Sequence, residues 1–301
     1  MKNLTLKQLQ EEFQLEILAG DNELNKEIYS EEIHRPGLEV TGFYEYFPKE
    51  RIQLMGKQET TYLFSLKEKE QKERIRAYLK LQPVCIIVTR GLEVTDFFIE
   101  QAKSEGVVIF RTNDKTTNFM SSLYSYLQKN LAQEMTVHGV CVNVYGVGVL
   151  IRGTSGIGKS EIALSLIERG HRLVSDDIVL LKKIGPVALI GTHNDVNSEF
   201  LSLRGIGFIN VLRLYGSGAI QNETKINLDI YLSPWDDEKQ YDAVGIDNKK
   251  SEYLETEIPL LEIPIRPGRD IASLIEVAAK NWRLQQQGYN TLDDFYSRFD
   301  Q

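Results

Sequence analysis

The sequence predicts an α/β protein of two domains. A small N-terminal α/β domain spans residues 1–130, and a larger domain built around a phosphate-binding loop spans residues 131–301. Between residues 84 and 112, strand-like runs flank a helical run, the strand–helix–strand order of α/β folds. The stretch IRGTSGIGKSE (151–161) meets the pattern G-x-x-x-x-G-K-[ST], with a strand before it and a helix after it. The chain's 301 residues, 42% of them apolar, suffice for two cores of ordinary size.

Bulk properties exclude several function classes. A net charge of −8 argues against general affinity for nucleic acid or an anionic membrane, which need a basic face. No apolar run approaches the length of a membrane span. The N-terminal MKNLTLKQLQEEF is polar and amphipathic, without an apolar signal core, so a cytoplasmic location is expected. Cys85 and Cys141 each sit in an apolar run, which reads as two buried core thiols rather than a disulfide framework or a metal site.

Along the chain, Thr5 and Gln8 form a capping-box signal, and Leu6, Leu9, Phe13 and Ile17 recur near helical spacing until Gly20. Residues 66–80 are a charged helix whose acids and bases fall three and four apart, a solvated face. The strands VCIIVTRG (84–91) and GVVIFRT (106–112) enclose the helix TDFFIEQAKSEG. A helix over TTNFMSSLYSYLQKNLAQ leads out of the first domain, its Met, Phe and Tyr residues read as packing. HGVCVNVYGVGVLIRG then reads as two strands joined by a turn at Tyr145-Gly146. The C-terminal part holds two helices, SLIEVAAKNWRLQQQ ending at Gly288 and TLDDFYSRF opening at the cap Thr291.

The chemistry centres on the loop of Gly153, Thr154, Ser155, Gly156, Ile157, Gly158, Lys159 and Ser160. Its glycines let backbone N–H groups turn inward around a β-phosphate, and the following helix contributes its positive end. Lys159 can reach the β- and γ-phosphates, and the Ser160 hydroxyl can bind Mg²⁺. Asp176 and Asp177 fall within the strand RLVSDDIVLL, so only one of them can face the phosphate, there to bind Mg²⁺ or accept a proton; a strand-edge pair capping nearby backbone is the equal alternative. Spacing alone leaves His138 as a satisfied core histidine. For Arg204 it favours a carboxylate partner over phosphate, and for the loop IPIRPGRDIA a helix anchor over an anion site.

Taken together, these segments resemble the bacterial HPr kinase/phosphorylase family along nearly the whole chain. The resemblance rests on HGV…VYGVGVLI, GTSGIGKSE, ERGHRLVSDD, RGIGFIN, YLSPWDDEKQYD, IPIRPGR and IEVAAKNWRL, with HRPGLEVTGF and IIVTRGLE in the first domain. It implies that residues 131–301 are a P-loop-containing kinase domain. It implies a bifunctional enzyme that uses ATP and Mg²⁺ to phosphorylate a regulatory serine of the phosphocarrier HPr, and inorganic phosphate to remove that group as pyrophosphate. It also implies a homo-hexamer acting in carbon catabolite control. Carried onto this sequence, residues 153–160 hold the nucleotide and Lys159 stabilises the transferring group. Asp177 takes the proton in one direction and returns it in the other, and His138 orients or tunes Asp177. Ser160 and Asp176 belong to the metal site. The segment 201–210 serves both reactions, and Pro264, Ile265, Arg266, Pro267, Gly268 and Arg269 mainly the reverse one.

This sequence departs from the family pattern at three positions. Ser202 stands where the family has a metal-binding glutamate, Ala243 where it has a catalytic arginine, and Thr154 where the loop usually has aspartate. Two readings follow: an active kinase/phosphorylase, or a nucleotide-binding relative that has lost catalysis and serves as a regulatory or scaffolding subunit.

Overall fold

The computed structural model describes residues 4–185, 187–193, 199–236, 238 and 249–298. The chain divides into two compact units, Met1–Ala132 and Gln133–Gln301.

The first unit runs β1 (Leu4–Thr5), α1 (Leu6–Phe13), β2 (Glu16–Ala19), β3 (Glu27–Ile28), β4 (Ile33–His34), β5 (Ile52–Met55), α2 (Lys57–Ser65), α3 (Glu68–Leu79), β6 (Ile86–Val88), α4 (Asp96–Glu105), β7 (Ile109–Arg111) and α5 (Thr116–Leu131). Thr5 and Gln8 make the capping box in both directions. The helix they open ends sooner than its apolar spacing suggests. Gln14 takes a left-handed conformation (φ 49) at its end, and Ile17, in helical phase with Phe13, belongs to β2. Five strands lie in the order β2-β7-β6-β5-β4, parallel except for β2. Strand alternation sorts the sheet's side chains to its two faces. Leu54, Ile87 and Phe110 pack with α1 and α5, while Met55, Ile86, Val88 and Ile109 pack with α2, α3 and α4. The charged helix α3 accordingly buries only Ile75, Tyr78 and Leu79.

The second unit runs β8 (Gln133–His138), β9 (Val140–Val144), β10 (Val147–Gly153), α6 (Lys159–Glu168), β11 (Arg172–Ser175), β12 (Ile178–Ile184), β13 (Ala188–Thr192), β14 (Phe200–Leu203), β15 (Gly207–Asn210), α7 (Val211–Tyr215), β16 (Glu223–Pro234), β17 (Lys250–Tyr253), β18 (Thr256–Ile265), α8 (Ile271–Gln286) and α9 (Thr291–Ser297). β9 and β10 form the expected hairpin; Tyr145 (φ 54) and Gly146 (φ 85) are both left-handed, as a tight two-residue turn needs. Among the described strands, β11, β9, β10, β16, β13, β12 and β8 follow one another in the main sheet, and β18 and β17 branch from β16. One face carries Val140, Val142, Val149 and Ile151 against Ala163 and Leu166 of α6 and Ile275 and Ala279 of α8. The opposite face carries Cys141 and Leu150 against Val179, Leu181 and Leu189. Burying a side chain such as Leu166 in this way contributes about 1.5–3 kcal/mol. Helix α8 starts at the cap Asp270, whose carboxylate accepts from Ser273 N. Thr291 lies within α9 and donates its hydroxyl to Asn281 at 3.0 Å, so it packs α9 on α8 instead of capping it.

Strand directions fix where chemistry can sit. β10, β16 and β18 are parallel, with Gly153 beside Leu232 and Pro234 beside Ile265, and β11 runs the same way through its antiparallel pairing with β9. Four carboxyl ends therefore open on one edge, where ligands of open α/β sheets bind.

Candidate functional site

The loop from Gly153 to Ser160 leaves that edge at the end of β10 and enters α6 at Lys159. Gly153 has φ 152, and a β-carbon there would lie 2.7 Å from the Leu232 carbonyl oxygen, so the loop approaches β16 as only glycine permits. Gly156 (φ 82) and Gly158 (φ 101) continue the turn. The Lys159 ammonium spans the loop, donating to Gly153 O at 3.0 Å and Thr154 O at 3.2 Å.

Ser160, in the first turn of α6, donates its hydroxyl to Asp176 Oδ1 at 3.0 Å and lies 3.2 Å from Oδ2. Ser202 N donates to Asp176 Oδ2 at 3.0 Å. Burial pushes the half-buried Asp176 carboxyl above its ordinary range, against the pull of the Ser202 N–H and the Ser160 hydroxyl. Asp176 and Asp177 do not lie within one strand, as their apolar flanks suggest. They form a bend between β11 and β12, with Asp177 left-handed (φ 63) and exposed. The bend, not strand alternation, sets the two carboxylates apart.

His138 closes β8 opposite Ile178, and the next residue, Gly139, donates its N–H to Asp177 O at 3.1 Å. The backbone thus brings His138 and Asp177 to the same end of the β8–β12 pair. Ser202 lies on β14, whose hairpin with β15 turns at Arg204-Gly205-Ile206. Arg204 has no carboxylate partner among the described residues, contrary to the reading that spacing alone favours. Its guanidinium lies over the loop instead, with Nη2 3.0 Å and Nη1 3.2 Å from where a β-carbon on Gly156 would be.

The segment from Pro264 to Arg269 ends β18 and leaves it on the same edge, turning toward Trp235. Arg266 and Arg269 stand over the Trp235 ring at 4.7 and 5.9 Å, Arg269 donates to Pro264 O at 2.8 Å, and Trp235 N donates to Ile265 O at 3.0 Å. Sequence reasoning missed Trp235. Its signal is an aromatic residue at the carboxyl end of a strand, legible only once β16 and β18 are known to be neighbours. Ala243 lies outside the described residues.

At the other end of α6, Arg169 meets Asp270 at 2.8 Å and Glu276 at 3.1 Å, and buried His171 meets Glu276 at 2.8 Å. His171 first, with Tyr145 and Arg169, holds the Glu276 carboxyl below its ordinary range. A cavity of about 260 Å³ lined by Ile167, Glu168, His171 and Tyr215 lies here, a helix length from the loop, and is not the phosphate site.

An oxygen-only pair, the Ser160 hydroxyl and the half-buried Asp176 carboxylate, fits a hard divalent cation such as Mg²⁺. Among the described residues no group of three or more His, Cys, Asp or Glu is arranged to hold a metal ion, so such a cation would depend on phosphate oxygens and water. The chain can therefore cradle a polyphosphate, with a carboxylate for a cation and a second, exposed carboxylate beside it.

The chain is similar to known proteins in both halves. Residues 129–299 match the family described as HPr Serine kinase C-terminal domain, and residues 4–127 the family described as HPr Serine kinase N terminus. A protein of Oceanobacillus iheyensis called Putative HPr kinase/phosphorylase 2 is 46% identical over 300 residues, covering 100% of this chain and 98% of its own. An HPr kinase/phosphorylase of Bacillus cereus is 42% identical over 298 residues, covering 99% of this chain and 96% of its own. A solved structure of the Hpr(Ser) kinase/phosphatase from Coxiella burnetii is 36% identical with a TM-score of 0.48, covering 54% of this chain and 98% of that one. Matched in both halves and along its whole length, the chain belongs to the HPr serine kinase family.

Proposed function

We propose that this chain is a bifunctional HPr kinase/phosphorylase, transferring the γ-phosphoryl group of ATP to a serine of HPr and removing it with inorganic phosphate as pyrophosphate. The observation that carries the reading is the cluster at the head of α6: Ser160 bonded to Asp176 at 3.0 Å, with exposed Asp177 next in sequence. A carboxylate without a side-chain partner at its rim is what a hydroxyl nucleophile requires.

The roles are those the family resemblance implies, and the placement of the residues is compatible with them. Backbone N–H groups of residues 153–160 bind the phosphates, and Lys159 exchanges its carbonyl partners for phosphate oxygens. Ser160 and Asp176 would hold Mg²⁺, which would neutralise phosphate charge. Asp177 takes the proton of the attacking serine hydroxyl, a weak nucleophile unless its proton leaves as the new bond forms. In reverse, protonated Asp177 returns that proton to the departing serine oxygen. His138, at the adjacent strand end, orients Asp177. The stacked arginines of 264–269 receive the incoming phosphate. The absence of a carboxylate side chain at Ser202 weakens the cation site without removing it, because Mg²⁺ is typically held by one or two carboxylates, phosphates and water.

Assembly as a homo-hexamer and a cytoplasmic setting belong to the same reading. No helix among the described residues is long and apolar enough to cross a membrane.

The test is direct. Purified protein with HPr, ATP and Mg²⁺ yields phosphoserine on HPr by mass spectrometry, and excess phosphate then removes it with release of pyrophosphate. Nucleotide binding without any phosphoserine would instead identify a non-catalytic relative.

A further inference from the structure

The far end of α6 takes no part in the chemistry above, yet it fastens two elements that do. α6 opens with Lys159 and Ser160 at the phosphate loop and closes at Glu168. The next residue, Arg169, gathers three acceptors from the start of α8: Asp270 at 2.8 Å, the Ser273 hydroxyl at 2.7 Å and Glu276 at 3.1 Å. Asp270 caps α8 and directly follows Arg269, one of the two arginines over Trp235. Ser273 first, and then Arg169, hold the Asp270 carboxyl down to about 2, so it is charged across the neutral range. Glu276 is fixed by two further groups, buried His171 at 2.8 Å and the Tyr145 hydroxyl at 2.9 Å. An isolated exposed ion pair contributes little. Here one planar guanidinium serves three acceptors whose own neighbours already hold them, so less freedom is lost in ordering it. α6 and α8 also share one core through Ala163, Leu166, Ile275 and Ala279. α6 is thus a stiff link, with the phosphate loop at one end and the cap of α8 at the other.

We propose that Arg169 is a positioning residue: it sets where Arg266 and Arg269 stand relative to the phosphate loop, and it serves the phosphate-consuming direction. The inference rests on the kinase/phosphorylase reading above for its substrates. The chain between Ile265, the last residue of β18, and Asp270 is short. β18 pins its upstream end, and Arg169, through Asp270, its downstream end. Between these pins stand both arginines, stacked on Trp235. In the reverse step an oxygen of hydrogen phosphate bonds to the phosphorus of phosphoserine while the bond to the serine oxygen breaks. The serine oxygen takes up the proton that hydrogen phosphate brought, through Asp177, and pyrophosphate forms. The attack needs phosphate held in line, and a misplacement of about 1 Å costs about 10²-fold. The forward step draws its phosphate from the nucleotide, whose partners Lys159 and Ser160 lie at the opposite end of α6 from Arg169.

The full chain carrying Trp282→Phe keeps Trp235 as its single tryptophan. In that parent, Trp235 emission and its quenching by acrylamide report the arginine stack directly. Arg169→Gln should shift the emission and raise the quenching about twofold, a change that loss of a local ion pair alone would not produce. It should also raise the KM for phosphate about tenfold, with the KM for ATP and the affinity for ADP within about twofold of the parent. Arg169→Lys, which keeps charge but not the fork, should recover only part. Asp270→Asn keeps the helix cap and weakens the grip of Arg169, so it should reproduce both effects if Arg169→Gln fails to fold. The proposal is overturned if Trp235 emission and quenching stay at parental values, or if the KM for phosphate rises no more than the KM for ATP; the cluster then only fastens α8. A parent that neither phosphorylates HPr nor consumes phosphate refutes the function proposed above, and the Trp235 readout alone then decides the positioning.

Discussion

Asp176 and Asp177 are neighbours in sequence with opposite surroundings, and that contrast divides their roles. Asp176 accepts from Ser160 and Ser202 and is half-buried; Asp177 is exposed in a left-handed conformation that asparagine and aspartate tolerate better than most residues. Asp177→Asn keeps shape and removes the base, so transfer in both directions should fall by about 10²–10⁴-fold with nucleotide affinity unchanged, measured by coupled assay and calorimetry. Asp176 gives a pH signature. Because burial raises its folded pKa above the unfolded value, the folded state binds the proton more tightly. Without cation, stability should therefore fall as pH rises through the folded pKa, and Asp176→Asn should abolish that slope in thermal melts across acidic pH.

At the scale of elements, the hairpin β14–β15 and the strand end at Trp235 decide what surrounds the loop. Trp235 stacks both arginines of 264–269, so Trp235→Ala should free them and raise the KM for phosphate in the reverse reaction, with the KM for ATP little changed and Trp235→Phe restoring most of the loss. Local elements were legible in the sequence wherever their signal is local. The capping box at Thr5, the Tyr145-Gly146 turn and the loop-to-helix passage at Lys159 each depend on residues a few positions apart. Two boundaries were not. Ile17 keeps helical phase with Phe13 although the chain has already turned at Gln14, and RLVSDDIVLL reads as one strand because its apolar residues flank the bend symmetrically. Arg204 over Gly156 and Ser202 beside Asp176 were beyond pattern reading, since each joins segments dozens of residues apart through the packing of the β14–β15 hairpin on α6.

At the scale of the whole molecule, each unit closes its own core. Leu54, Ile87 and Phe110 are buried within the first, and Val149, Ile151 and Leu166 within the second. The loop, both aspartates, Arg204 and the 264–269 segment all belong to Gln133–Gln301. Residues 133–301 expressed alone should therefore fold cooperatively, followed by circular dichroism, and bind ADP within about tenfold of the full chain. The family resemblance made this division of labour legible from the P-loop and its flanks. The three-layer build of the first unit was not, because its short strands β4 and β5 are separated by segments without periodic pattern.

Cys85 and Cys141 are both fully enclosed, and burial pushes both thiols well above their ordinary range. The native protein is in effect blank to alkylating reagents. One cysteine placed on the surface, at the hairpin tip or beside Trp235, becomes a unique handle for a spin label or fluorophore, and the hairpin can be followed in solution during turnover without first replacing either natural cysteine.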